Sequence, residues 1–260
     1  MASRESFYCL IVPFWLQKAT MKLEMENTIH GKWYDDACGG AFGLELLGER
    51  WALLIVRELM FGGRRFKELR EGLPTISAKA MTERLHGLER SGVIQRVLLP
   101  IAASRKSPAP EPVQLYELTP WGYRADEVLL ALCRWALASP GHDHSLFLSP
   151  AAMMMSLRAL FDPARACGLN LAGAIRMDDE SFVASVADRQ LSIARGTTDN
   201  PVFTIAASGA DPVKRLIHGK APPEVLGPLG LSISGDREAA ARFIGMFGFP
   251  AKWATEPMIP

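Results

Sequence analysis

Cysteine is scarce in this chain. Only Cys9, Cys38, Cys133 and Cys167 occur, and no two stand in a CxxC pair. That spacing excludes a zinc ribbon and a disulfide framework and suits a reducing, cytoplasmic setting. A membrane-spanning run is also missing. The apolar stretch Phe7 to Leu16 is too short to cross a bilayer and contains Pro13. As a signal peptide it fails too, because Glu5 offsets Arg4 and no small-residue cleavage site follows. An excess of one charge is absent, with a net charge of +1. GxSxG, HExxH, P-loop and GxGxxG motifs are absent as well. No acid/base pair stands at a meaningful spacing. His142-Asp143-His144 alternates two imidazoles, with no third ligand nearby in sequence. The expectation is a protein that is not an enzyme, with no catalytic residue, no cofactor, no metal and no membrane partner.

What is present is a folded composition, 48% hydrophobic and 22% charged over 260 residues. The charge is unevenly placed. Between 57 and 106 the basic positions are 57, 64, 65, 67, 70, 79, 84, 90, 96, 105 and 106, against Glu at 58, 68, 71, 83 and 89. A local surplus of that kind is a candidate phosphate footprint. The stretch from 141 to 260 is nearly balanced.

Patterned sequence begins near Asp35 or Asp36, which can cap a helix through Leu44 and Leu47. A second helix, Arg50 to Met60, places Leu53, Leu54, Val56 and Leu59 inside and stops at Gly62-Gly63. A third runs from Phe66 to Glu71. Ser77 caps a fourth, reaching Arg90, with Ala78, Met81, Leu85 and Leu88 on its apolar face. Lys79, Glu83, His86 and Arg90 lie opposite. Val93 to Leu99 and Val113 to Leu118 read as strands joined by a Pro/Ala/Ser loop bearing Arg105 and Lys106. Thr119-Pro120 opens a fifth helix, to about Ala138, with Val128, Leu129, Leu132 and Trp135 on one face.

Three helices, a basic two-stranded wing and a closing helix make a winged helix-turn-helix. A helix fills the major groove, where base edges present a readable donor and acceptor pattern, and flanking cations hold phosphates. Ser77, Lys79, Thr82 and Glu83 face the groove in this arrangement. Arg64, Arg65, Arg84, Arg96, Arg105 and Lys106 mostly meet the backbone.

The same residues resemble the HxlR-type regulators, which are related to MarR-type winged-helix proteins. The resemblance rests on Cys38, on Leu47-Gly48-Glu49-Arg50-Trp51 and on Gly62-Gly63-Arg64-Arg65-Phe66 with Leu69. It continues through Ile76-Ser77, Thr82-Glu83-Arg84-Leu85, Leu88-Glu89-Arg90-Ser91-Gly92-Val93-Ile94 and Tyr116-Glu117-Leu118-Thr119-Pro120-Trp121-Gly122. It implies a homodimer, joined through the first and last helices, on a double-stranded, pseudo-palindromic DNA operator. The long N-terminal extension and the long, proline-rich wing loop depart from the family's pattern.

After Ser139-Pro140-Gly141 the character changes. Ser149-Pro150 starts a helix through Leu157 and Phe161. Strand-like runs then follow at 171–177, 182–187, 191–195, 202–207 and 231–234. Asp211-Pro212 starts a short helix, and Asp236 caps a last one through Phe243 and Phe247. This is an α+β pattern, a helix-backed antiparallel sheet. The second half resembles a sterol-carrier-type domain through Leu157-Arg158-Ala159-Leu160-Phe161-Asp162-Pro163, Phe182 to Asp188 and Leu231 to Asp236. That resemblance implies an apolar tunnel for a hydrophobic small molecule, lined by Met153, Leu157, Phe161, Phe182 and Phe203. The plain alternative is that these residues fill a core.

The expected organisation is a 1–32 extension, a 33–139 DNA-binding domain, a 140–148 linker and a 149–253 sterol-carrier-like α+β domain. The expected function is a sequence-specific transcriptional regulator, acting as a repressor under control of a hydrophobic ligand. One alternative is a hydrophobic-ligand carrier whose winged helix only dimerises. Another is a thiol-based redox regulator acting through Cys38, which lies near a helix start; a packed, inert thiol is the plainer expectation there.

Overall fold

The computed structural model describes residues 34–99 and 112–253. The 1–32 extension, Arg105 and Lys106 therefore lie outside the described residues. The chain forms two compact units, Met1–Glu49 and Arg50–Pro260. In the first, helix α1 (Gly39–Leu47) starts at Cys38. The expected cap, Asp36, acts one step earlier, where its Oδ1 accepts the Cys38 N–H at 2.8 Å.

In the second unit α2 (Ala52–Leu59) is a core helix. It buries Ala52, Ile55, Val56, Glu58 and Leu59. Leu54 was expected inside but is exposed, and Leu53 is half-buried. The true stripe runs through Ile55, and the helical spacing brings Glu58 onto it. Next come α3 (Phe66–Gly72) and α4 (Ala78–Arg90). Strands β1 (Ile94–Leu99) and β2 (Val113–Leu118) pair antiparallel, from Ile94 opposite Leu118 to Leu99 opposite Val113.

The single helix expected after Thr119 is two: α5 (Pro120–Tyr123) and α6 (Asp126–Leu137). Thr119 Oγ1 accepts the Gly122 N–H at 3.0 Å, so the cap and the Pro at the first helical position act as expected. Gly122 is needed for closeness, because a Cβ there would lie 2.0 Å from the Val93 carbonyl oxygen. The face expected to pack on α6 is mostly outside. Leu129 and Leu137 are buried, while Val128, Leu132 and Trp135 are exposed, Trp135 by 77%.

Helix α7 (Pro150–Leu160) buries eight of its eleven residues. A helix apolar on all sides belongs in an interior. It packs on α2 and α6 of the winged half and on β5 and α8 of the C-terminal half. Its cap joins the halves. Ser149 Oγ accepts the Ala152 N–H at 3.0 Å and donates to Glu58 Oε1 at 2.7 Å. Arg57 reaches the same oxygen through Nη2 at 2.7 Å and Nε at 3.0 Å.

The C-terminal sheet contains β3 (Leu171–Met177), β4 (Glu180–Ala187), β5 (Gln190–Arg195), β6 (Phe203–Ala207) and β7 (Ser232–Gly235). Spatial order is β5-β4-β3-β6-β7. The two hairpins turn on Asp178-Asp179 and Asp188-Arg189, with Asp178, Asp188 and Arg189 at positive φ. The sheet is mixed rather than antiparallel, since β6 runs parallel to β3. β4 already occupies one side of β3, so the returning chain joins the other. Helices α8 (Ala210–Ile217), α9 (Pro223–Leu226) and α10 (Arg237–Gly245) complete the half, with a 3-10 turn at Gly227–Leu229. Asp236 caps α10 by accepting the Glu238 and Ala239 N–H groups at 2.9 and 3.0 Å.

Glu58 is the buried charge on which the join rests. Glu58→Ala strands the Ser149 hydroxyl and the Arg57 guanidinium, at a cost of about 3 kcal/mol. Urea unfolding of the full chain should show that loss, and a change under about 1 kcal/mol contradicts it.

Candidate nucleic-acid interface

Helix α4 is held by burial. Met81, Leu85 and Leu88 are each at most 2% exposed, which stabilises the helix by roughly 1.5–3 kcal/mol per side chain. Ser77 Oγ accepts the Ala80 N–H at 3.2 Å and fixes the first turn. The opposite face is thereby left outward. Lys79, Thr82, Glu83, His86 and Arg90 are exposed, and Arg84 is half-buried. Ala78, expected on the apolar face, is exposed as well.

The outward groups differ in freedom. Lys79 stands 4.0 Å from Glu83, its side chain 87% exposed, so the pair is weak and yields readily to a phosphate or base. Thr82 Oγ1 donates to the Ala78 carbonyl at 3.0 Å, leaving its lone pairs and methyl outward. Arg65 is exposed at the start of α3, where its own N–H donates to Glu68 Oε2 at 2.8 Å. Lys67 and Arg70 are exposed on the same short helix.

Two expected phosphate contacts are otherwise engaged. Arg64 forms an ion pair with Glu180 of β4, and its side chain is only 12% exposed. Its backbone also bridges the wing, exchanging N–H···O bonds with Tyr116 at 2.8 Å each way. Arg96 lies across Glu89, with Nε donating to Oε1 at 2.6 Å. The Glu89 bond raises the Arg96 pKa, and the Arg96 bond lowers that of Glu89. Arg64 is thus an anchor, and Arg96 a strut between α4 and β1.

Glu180 also takes Arg195 Nη1 on its other oxygen. Arg195 reaches back to the winged half, donating from Nε to the Phe61 carbonyl at 3.3 Å, and covers the Phe182 ring at 4.8 Å. Burial, then the Arg64 charge, lowers the Arg195 pKa. Sequence inspection missed Glu58, Glu180 and Arg195. Glu58 was detectable, since the Ile55–Leu59 stripe runs through it. Glu180 and Arg64 are separated by 116 residues and left no local signal.

The five residues expected to line a tunnel are packed. Met153, Leu157, Phe182 and Phe203 are fully buried, and Phe161 is half-buried. Phe203 stacks on Phe243 at 5.2 Å and fills the space over Gly173, where a Cβ would lie 2.2 Å from its ring. Phe161 meets Phe247 at 6.3 Å, and Phe182 meets Phe61 at 5.6 Å. A ligand among them would have to displace these contacts. Contrary to the expectation of a packed thiol, Cys38 is exposed. Backbone N–H groups of Ala41 and Gly40 at the start of α1 lower its pKa. Burial raises that of Cys133.

Residues 46–142 match the family model described as HxlR-like helix-turn-helix. The chain is 39% identical over 92 residues to the HTH-type transcriptional regulator YodB of Bacillus subtilis (strain 168), covering 35% of this chain and 74% of that one. It is 30% identical over 105 residues to the HTH-type regulator YtfH of Escherichia coli (strain K12), covering 40% and 77%. Among solved structures it is similar to the reduced form of YodB, with 33% identity, 42% of this chain and 100% of that chain covered, and a TM-score of 0.35. The matched segment contains α4, the two wing strands and α6, and the chain belongs to the HxlR-like helix-turn-helix family.

Proposed function

We propose that this HxlR-type transcriptional regulator is a homodimeric repressor that sets α4 in the major groove of a double-stranded operator. The observation that carries the proposal is the division of α4. Met81, Leu85 and Leu88 are buried on one side, while Lys79, Thr82, Glu83 and Arg90 are outward on the other. Ser77, Lys79, Thr82 and Glu83 read base edges, and Arg65 and Arg84 hold phosphates. Arg105 and Lys106 of the wing loop are assigned to the backbone on sequence alone. The exposed Val128, Leu132 and Trp135, spaced as one face of α6, supply the dimer contact. Two α4 helices then enter half-sites about 34 Å apart. Repression follows where the operator overlaps a promoter.

The functional division we propose is 33–139 for DNA binding and 149–253 for sensing, joined by 140–148. The sensing half is built on a sterol-carrier-like plan, supported by a sheet backed by helices around an apolar interior. Met153, Leu157, Phe161, Phe182 and Phe203 are assigned to its core. Ligand control acts through the buried join between the halves, because a molecule preferring one placement of α7 shifts operator affinity by that preference.

Exposure and pKa at Cys38 favour a second reading, in which its oxidation alters DNA binding. Alkylation by iodoacetamide should reach half its maximal rate at a lower pH for Cys38 than for Cys133, because only the thiolate reacts. Equal pH profiles contradict this reading. So does an unchanged oxidant response in Cys38→Ser.

Gel shift against DNA upstream of the protein's own gene tests the main reading. Lys79→Ala should weaken binding about tenfold, equivalent to ~1.4 kcal/mol. Arg65→Ala should lower the slope of log K against log salt by about 1. Arg64→Ala should leave that slope unchanged, since Glu180 already holds its charge. The absence of a specific band rejects the reading in favour of a carrier whose winged helix only dimerises, and equal slope changes at Arg64 and Arg65 reject the assigned roles.

A further inference from the structure

The far end of α6 is closed by the chain's own C-terminal segment. A helix leaves its last carbonyl groups without partners. Here Lys252 Nζ donates to the Leu137 and Ser139 carbonyls at 3.0 and 2.9 Å, and the Trp253 N–H donates to the Ala138 carbonyl at 2.8 Å. Three successive carbonyls at the exit of α6 are thus met by one strap of chain that follows α10.

These bonds fix where Trp253 stands. Its ring and that of Trp135 line one groove of about 660 Å³, together with Ala138, Pro140 and Gly141. Both rings are largely bare, Trp253 76% exposed and Trp135 77%. The lining is mostly apolar, and His142 is its only ionisable group. Burial, then the Lys252 charge, lowers the His142 pKa, so the groove carries no charge at neutral pH. Val128, Ala131, Leu132 and Trp135 share one face of α6, and all four are exposed.

A groove without charge offers nothing to a phosphate or to an acidic peptide. Contiguous apolar surface of this kind marks a protein contact. Trp135 belongs both to the groove and to the α6 row assigned to the dimer, so the two surfaces are continuous. A twofold contact is self-complementary, and the same patch must offer a projecting group and a recess for it. Two bare indoles beside a groove meet that demand. Area favours the same partner. Aromatic side chains bury ~150–250 Å² each, so four indoles from two copies supply roughly 600–1,000 Å². Stable interfaces bury about 1,200 Å² or more. With Trp135 alone the aromatic share is halved.

We infer that residues 250–253 are part of the dimer interface, with Trp253 of each copy packed against Trp135 in the groove of the other. The Lys252 and Trp253 bonds hold the ring at the end of α6 before two copies meet. The C-terminal half thereby takes part in the dimer that places the two α4 helices. This surface extends the α6 dimer reading and depends on it.

Sedimentation equilibrium of the full chain tests it. The chain should be a dimer, and Trp253→Ala should raise its dissociation constant at least about tenfold, since truncating a tryptophan buried at an interface often costs that much. Trp253→Phe should recover part of the loss. Circular dichroism should show both variants folded, because the ring is exposed in a single copy. Leu132→Arg tests the α6 reading separately and should leave the chain monomeric. A second measurement does not rely on lost affinity. With p-benzoylphenylalanine in place of Trp253, irradiation should give a dimer-sized product cross-linked to the 128–142 stretch of the other copy. An unchanged dissociation constant for Trp253→Ala, with Leu132→Arg monomeric, overturns the role of the strap and spares α6. Cross-links confined within one chain overturn it too and assign the groove to residues 254–260. A wild-type chain that stays monomeric, or a dimer indifferent to Leu132→Arg, rejects the α6 reading and the strap together.

Discussion

The buried Glu58 carboxylate is the constraint on which the second unit depends. It sits on the apolar stripe of α2, 2% exposed, and holds both the Arg57 guanidinium and the Ser149 hydroxyl. Ser149 is the cap of α7, the helix buried against both halves. One oxygen thus ties the register of a winged-half helix to the start of the central helix. A buried charge of this kind adds little net stability, yet removing any one partner is costly. That asymmetry favours a single arrangement of α2 against α7 over slipped ones.

From that join the rest follows in space. Glu180 of β4 spans Arg64 and Arg195, so the start of an inner strand of the C-terminal sheet is bonded to the loop that precedes α3. The Arg64 backbone is also paired with the wing at Tyr116. The C-terminal half therefore meets the DNA-binding half beside the Arg64–Tyr116 bridge that joins the α2–α3 loop to the wing. The outward face of α4 is left uncommitted, with Lys79 in only a long, exposed pair. A fold arranged in this way leaves the outward residues of α4 exposed while its C-terminal half grips the elements beside them.

Much of this arrangement was legible in the chain. The Ser77 cap and the Met81–Leu85–Leu88 spacing gave α4 correctly because both signals are local. The wing strands, the Thr119-Pro120 cap and the two Asp-rich hairpin turns were readable for the same reason. Expectation failed where partners are distant. Leu54 and Trp135 are apolar residues at helical spacing, and spacing alone does not say whether a face meets a core or another molecule. Arg64 looked like a phosphate ligand until a glutamate far along the chain was found against it. The parallel β3–β6 pair had no sequence signal, since it depends on how the connection after β5 crosses the sheet rather than on any local pattern. Phe203 carries no mark distinguishing a tunnel wall from a plug; its contact with Gly173 makes the difference.

The central claim is that α4 enters the major groove in duplicate. Dimethyl sulfate footprinting of the protein on its upstream DNA measures this directly, because the reagent attacks guanine N7 in that groove. The account predicts two protected tracts on one face of the duplex, about 34 Å apart or a multiple of it. Unchanged guanine reactivity across a bound fragment would contradict it.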